Sequence, residues 1–284
     1  MSAQVLDGKR IRDEILSELK PRIAKLRRPP GLAVVLVGHD PGSEVYVRNK
    51  IKACGDLGIY SEKIAPPETI TTGELLGIVD GLNQRPEIDG ILVQMPLPKQ
   101  VDSRKVLVSV QPDKDVDGFH PVNVGNLVAG IPGPRACTPS GIMEMLKRYQ
   151  IGVAGKNAVV VGRSDIVGKP MALLLLHANA TVTICHSKTA DLAAECRRAD
   201  ILVAAIGRAN LLGRDHIRPG AVVIDVGMNR MADGKLLGDV DQDAERDLAS
   251  AFTPVPGGVG PLTIAMLMSN TVQAAERHLC SASA

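Results

Sequence analysis

Aromatic side chains are nearly missing from this sequence: it holds no Trp, two Phe and three Tyr. Its cores must therefore be aliphatic, built from Val, Ile, Leu, Ala and Met. The same scarcity removes the stacking surfaces that hold single-stranded nucleic acid. No basic tract compensates, because Lys and Arg are spread along the chain and the net charge is only +2. A nucleic-acid partner is not expected. No apolar run approaches membrane-spanning length, so a membrane is not expected either. Cys54, Cys137, Cys185, Cys196 and Cys280 contain no C-x-x-C pair. A structural zinc site is thereby disfavoured, and scattered cysteines in odd number suit reduced thiols. The opening "MSAQVLDGKRIRDEIL" carries no charged-then-apolar leader and moves directly into an amphipathic helix. The expectation is a soluble, cytoplasmic protein.

What is present reads as α/β. Short apolar runs alternate with helical patterns: "LAVVLVG" (32–38), "GILVQMPLP" (90–98), "NAVVVG" (157–162), "TVTIC" (181–185), "DILVAAIG" (200–207) and "AVVIDVG" (221–227). Runs apolar on both faces suit parallel strands covered by helices, as βαβ units require. A length of 284 residues favours two domains. The Pro-, Gly- and Asp-rich stretch 111–136 lacks periodicity and marks the junction. The expected division is 1–120 and 138–255, the second domain being Rossmann-type. A final helix over 260–280, with Pro261 in its first turn, is free to return to either domain.

"SEVYVRNKIKACGDLG" (43–58) predicts one helix, with Ser43 as N-cap and Gly58 as its stop. Wound at about 100° per residue, it separates into two faces. Arg48, Asn49, Lys52 and Asp56 share one. Tyr46, Val47, Ile51, Ala53, Cys54 and Leu57 share the other, and Lys50 lies inside that apolar arc. A lysine stem can cover apolar surface while its ammonium reaches water. Alternatively the amine is functional, because burial disfavours its charged form and suits it to act as a base.

Three further stretches could carry chemistry. "VVVGRSDIVGKP" (159–170) has the strand–turn–helix context of a dinucleotide fingerprint, with Ser164 in place of the second glycine. The next strand ends in "TICHSKT", which offers His186, Ser187 and Lys188 but no ribose-binding acid. With Arg163 in the first turn, the pattern leans toward NADP over NAD. "DKDVDG" (113–118) matches the first half of a calcium loop, but Val124 stands where the bidentate Glu should be. No metal is expected there. An acidic turn and a substrate-binding carboxylate remain. "TPVPGGVGPLT" (253–263) sets three glycines between prolines, either to bring backbone N–H groups to a ligand or as a rigid connector.

Together these segments resemble the bifunctional methylenetetrahydrofolate dehydrogenase/cyclohydrolase family. "SEVYVRNK" is similar to its S-x-x-Y-V-x-x-K motif. "GILVQMPLP", "PDKDVDGFHPVN", "CTPSG", "VVGRSDIVGKP", "CHSKT" and "TPVPGGVGPLT" follow in the family's order and cover nearly the whole chain. Gly55 and Met228 depart from the family pattern, which commonly has an acid and an Ile at those places.

The resemblance implies two domains with an active-site cleft between them, a homodimer, and two activities. One is NADP-dependent oxidation of 5,10-methylenetetrahydrofolate to the 5,10-methenyl cation. The other is hydrolysis of that cation to 10-formyltetrahydrofolate. Lys50 is then the catalytic lysine, Gln94 its partner, Tyr46 a stacking group beside the pterin, and Asp117 the carboxylate that binds the pterin. Val93 and Met95 flank Gln94 in the substrate set, which also includes Pro256, Gly257, Gly258, Val259 and Gly260. Gly162, Arg163, Ser164, Ser187 and Met228 fall to NADP. A single-activity dehydrogenase and a non-enzymatic NADP-binding regulator are the alternatives. The regulator would be expected to lack Lys50, Gln94 or Asp117, and all three are present. Tyr46-x-x-x-Lys50 also matches the short-chain dehydrogenase pair, but here it precedes the glycine turn by over a hundred residues.

Overall fold

A computed structural model describes residues 3–281. In chain order it begins with β1 (Gln4–Val5), α1 (Gly8–Ile23), β2 (Gly31–Val35), α2 (Pro41–Leu57), β3 (Tyr60–Ile64), α3 (Thr72–Asn83), β4 (Gly90–Val93), α4 (Ser103–Ser109) and α5 (Pro121–Val128). There follow α6 (Cys137–Arg148), β5 (Asn157–Val161), α7 (Gly168–His177), β6 (Thr181–Cys185), α8 (Leu192–Arg197), β7 (Ile201–Ala204) and β8 (Val222–Asp225). A short hairpin of β9 (Asn229–Arg230) and β10 (Leu236–Leu237), then α9 (Gln242–Leu248), β11 (Ala251–Phe252) and α10 (Gly260–Ser281), complete the chain.

The described residues divide into two compact units, one of 3–13 and 136–263, the other of 14–135 and 264–281. In the second of these, three parallel strands lie in the order β3-β2-β4. Every residue of β2 and β4 is buried, as their apolar runs require. Val35, Leu75, Val79, Ile88, Ile91 and Val106 form an aliphatic core beside them. β3, "YSEKI", escaped the sequence reading because it is an edge strand, half in water, with polar residues along it.

The first unit carries a six-stranded parallel sheet in the order β1-β11-β8-β7-β5-β6. Its core includes Val159, Val161, Leu202, Ala204 and Val223, with Phe252 as an aromatic exception. From β5 the chain steps to β6 on one side, then crosses to β7 on the other. Such a reversal leaves a crevice at the carboxyl ends of the strands, where ligands bind in open α/β sheets.

Two boundaries differ from those expected. Gln4 and Val5 pair with Ala251 and Phe252, so the first residues group with 136–263 and not with the segment that follows them. A two-residue strand has no periodicity to reveal it. The supposedly aperiodic stretch 111–136 contains α5, whose first turn is capped by His120: Val122 N–H donates to Nδ1 at 3.1 Å. From Ile264 onward α10 groups with 14–135. There its Asn270 donates to the carbonyls of Val116 and Arg135 at 2.8 and 3.0 Å. Among the described residues no helix is long and apolar enough to cross a membrane.

Candidate functional site

α2 starts earlier than its sequence suggested. Asp40 is the N-cap, accepting from Ser43 N–H at 2.7 Å, and Pro41 occupies the first turn, which its missing N–H and fixed φ favour. Ser43 is therefore inside the helix. Gly58 ends it in the left-handed conformation, at φ 74°. The buried stripe is Ser43, Val47, Lys50, Ala53, Cys54 and Leu57, spaced by three and four. Tyr46, placed on that stripe by the wheel, is instead 42% exposed.

Lys50 is only 8% exposed, and its Nζ donates to Gln94 Oε1 at 3.0 Å. Gln94 follows β4. Its backbone N–H donates to Val35 O, and its Nε2 to Met95 O at 2.8 Å. The amide is thereby fixed with its oxygen toward the lysine. A neutral carbonyl accepts from an amine whether or not that amine carries its extra proton, whereas a carboxylate would hold it charged. Val93 is buried in the aliphatic core, so its side chain packs the sheet. Met95 is half-buried.

The acidic turn divides its labour. Asp115 is buried and accepts from Gly118 N–H at 3.0 Å, His120 N–H at 2.8 Å and Asn123 Nδ2 at 2.9 Å. Ile91 N–H donates to Lys114 O, tying the turn to β4. The carboxylates that resembled a calcium loop are otherwise engaged: Asp115 braces the turn, and Asp113 meets His278 at 3.2 Å. Asp117 is the carboxyl that the turn presents. Burial pushes it up to about 6; the nearby Lys50 opposes this and Asp115 reinforces it.

In the other unit, a cavity of about 350 Å³ is lined by residues following β5, β6 and β7. Gly162, Arg163 and Ser164 come from the first, His186 and Ser187 from the second, Ile206 and Arg208 from the third. Gly162 has φ 131°, and a Cβ there would lie 2.1 Å from Ala205 O. A Cβ on Gly168 would lie 2.2 Å from Gly162 O. Glycine is obligatory at both, for the tight turn and for close helix–strand packing. Ser164 has its own use: its Oγ accepts from Val167 and Gly168 N–H at 3.2 and 3.3 Å, closing the turn into α7. No carboxylate lines the cavity, and among the described residues neither Arg163 nor Arg208 has an ion-pair partner. A cavity with unpaired guanidiniums and no acid fits an anionic dinucleotide better than one with free ribose hydroxyls.

Pro256–Gly260 lie in this same unit and line a small hollow with Met228. The packing is close against glycine backbone. Gly8 N–H donates to Gly257 O at 3.0 Å, and a Cβ on Gly260 would meet Met228 Sδ at 3.2 Å. Sequence reasoning missed Asp115 as a brace and Arg208 as a cavity residue. The second was signalled, since "VVVGR" and "VAAIGR" both end a buried strand in Gly-Arg.

Comparison with known proteins agrees across the chain. Residues 6–117 match the family model for the tetrahydrofolate dehydrogenase/cyclohydrolase catalytic domain, and 136–279 match that of its NAD(P)-binding domain. The bifunctional protein FolD of Solibacter usitatus is 64% identical, over 97% of this chain and 98% of that one. The structure of the FolD dehydrogenase/cyclohydrolase of Campylobacter jejuni superposes with TM-score 0.96 at 47% identity, covering 98% and 100% of the two chains. That of Trypanosoma brucei, complexed with NADP cofactor and an inhibitor, gives TM-score 0.94 at 38% identity over the full length of both. With both domain models matched and the parallel α/β architecture shared, this chain belongs to the tetrahydrofolate dehydrogenase/cyclohydrolase family.

Proposed function

We propose that the chain oxidises 5,10-methylenetetrahydrofolate with NADP and then hydrolyses the methenyl product to 10-formyltetrahydrofolate. The observation that carries this reading is the buried Lys50 amine bonded to a neutral amide oxygen. Such an amine can alternate between base and acid without leaving its partner.

NADP supplies the hydride acceptor. Gly162 allows the turn to approach its diphosphate, and Arg163 and Ser187 offer charge and a donor to its 2′-phosphate. On the folate side, Asp117 as carboxylate accepts from the pterin N–H donors, and Tyr46, exposed beside Lys50 on α2, stacks on the ring. Hydride transfer asks Lys50 for no proton; it depends on orientation of the two rings. In the hydration step, neutral Lys50 takes the proton from water as its oxygen bonds to the methenyl carbon. As the ring C–N5 bond breaks, the Lys50 ammonium returns a proton to N5, and the hydroxyl of the adduct releases its own proton to solvent as the formyl carbonyl forms, so that hydrolysis of the cation yields one net proton. Gln94 holds the amine in place through both transfers. Pro256–Gly260 and Met228 take the remaining ligand contacts through backbone, since their glycines leave the chain bare.

Among the described residues no disulfide joins any of the five cysteines, which supports a reducing cytoplasm. A homodimer is supported by β6, an edge strand with Ile184 exposed, and by the exposed Leu176 and Ile166 elsewhere in the same unit. The activity is tested by absorbance: with methylenetetrahydrofolate and NADP, methenyl absorbance should rise and then decay. A preparation that forms no methenyl compound would remove the dehydrogenase reading; one in which it never decays enzymatically would remove the hydrolase.

A further inference from the structure

The loop after β7 is held in an unusual way. Ile206, Gly207 and Arg208 donate three successive backbone N–H groups to one carboxylate, that of Asp239, at 2.5, 2.9 and 2.9 Å. Asn229 Nδ2 donates to the same group at 2.9 Å. Asp239 is wholly buried, and its own N–H is fixed by Asp225 at 2.9 Å. Gly207, at φ 74°, makes the bend that turns all three N–H groups inward. A buried carboxylate taking four N–H donors is a rigid anchor. The residue it fixes last, Arg208, lines the dinucleotide cavity with its guanidinium unpaired among the described residues.

We propose that Arg208 is a further cofactor-binding residue, contacting a phosphate of the dinucleotide, and that Asp239 is its positioning residue. This rests on the cofactor reading above. Arg208 follows the strand on one side of β5, and Ser187 the strand on the other, so Arg163 after β5 stands between them in sheet order. Cations and donors thus follow three adjacent strands. The anion they share is phosphate, in the form of the diphosphate or the 2′-phosphate. Freezing the backbone of residues 206–208 in the free protein removes an ordering cost from binding.

The test is a set of binding constants for NADP, NAD and 2′,5′-ADP on the purified full chain. Arg208→Ala should weaken NADP about tenfold or more, the scale of one charge-assisted contact. Equal losses for NADP and NAD assign it to the diphosphate; losses confined to NADP and 2′,5′-ADP assign it to the 2′-phosphate. Either supports the proposal. Wild-type affinity for all three in Arg208→Ala overturns it alone, whereas wild type that binds no dinucleotide overturns the cofactor reading as well. For Asp239, the readout is a double-mutant cycle. Asp239→Asn should weaken NADP in the wild-type background and have much less effect in Arg208→Ala. Additive losses would reduce Asp239 to general stability. Should Asp239→Asn fail to fold, Asn229→Ala loosens the same carboxylate and completes the cycle.

Discussion

Lys50 and Arg163 are both basic residues proposed to meet a ligand, yet their surroundings are opposite. Lys50 is buried and already bonded to Gln94. Arg163 is exposed and has no ion-pair partner among the described residues. The contrast extends to their neighbours. Around Lys50, polar side chains do the holding: the Gln94 amide bonds the amine and is itself fixed by the Met95 carbonyl, and the Asp115 carboxylate braces the Asp117 turn through backbone N–H groups. Around Arg163, backbone geometry dominates, through Gly162, Gly168 and the Ser164 hydroxyl. A group that moves protons needs a low dielectric and a fixed partner. A group that captures phosphate gains from being left unpaired until the ligand arrives.

The largest effect should come from breaking the buried side. Lys50→Met keeps an unbranched stem on the same face, so the fold should persist. Cyclohydrolase activity should fall by roughly 100-fold or more, the scale of a lost acid–base group. The dehydrogenase should suffer less, and methenyl product should accumulate during turnover. Separate assays of both steps, with a melting curve, check this; a folded variant with normal hydrolysis returns Lys50 to packing. Breaking the exposed side should be milder. Arg163→Ala removes a charge-assisted phosphate contact of about 1.5–3 kcal/mol and should weaken NADP far more than NAD in a titration.

Asp117 sharpens the comparison through pH. Burial raises its carboxyl to about 6, so protonation removes the acceptor form as pH falls through that value. The KM for folate should rise below about pH 6, and this limb should vanish in Asp117→Asn; a pH-independent KM in wild type would contradict the anchoring role. The last effect is structural and lies in the other unit. Glu245 is buried, and its Oε2 has no hydrogen-bond partner among the described residues. Burial first, and then Asp225, push its carboxyl from an ordinary 4.5 to about 8. The folded chain thus keeps this proton where the unfolded chain releases it. Stability from this group is complete below about 4.5 and is lost as pH rises toward 8. Melting temperatures of Glu245→Gln across that range should show a shallower decline than wild type.

Sequence alone determined the parallel α/β architecture, because strands covered on both faces must be apolar throughout, as in "LAVVLVG" and "NAVVVG". It also singled out Lys50, since a charge on an apolar helical arc breaks a pattern of period 3.6. Patterns of one element could go no further. That Ser43 yields the cap to Asp40 and that Asp115 braces the turn while Asp117 is presented rest on local hydrogen bonds that a hydrophobic pattern does not rank, and that Tyr46 faces water departs from its place on the apolar arc. Neighbours arriving from elsewhere in the chain decide the pairing of Gln4–Val5 with Ala251–Phe252 and the gathering of the N–H groups of residues 206–208 by Asp239. These are contacts across 30 to nearly 250 residues of sequence, and only the folded chain brings such partners within hydrogen-bonding reach.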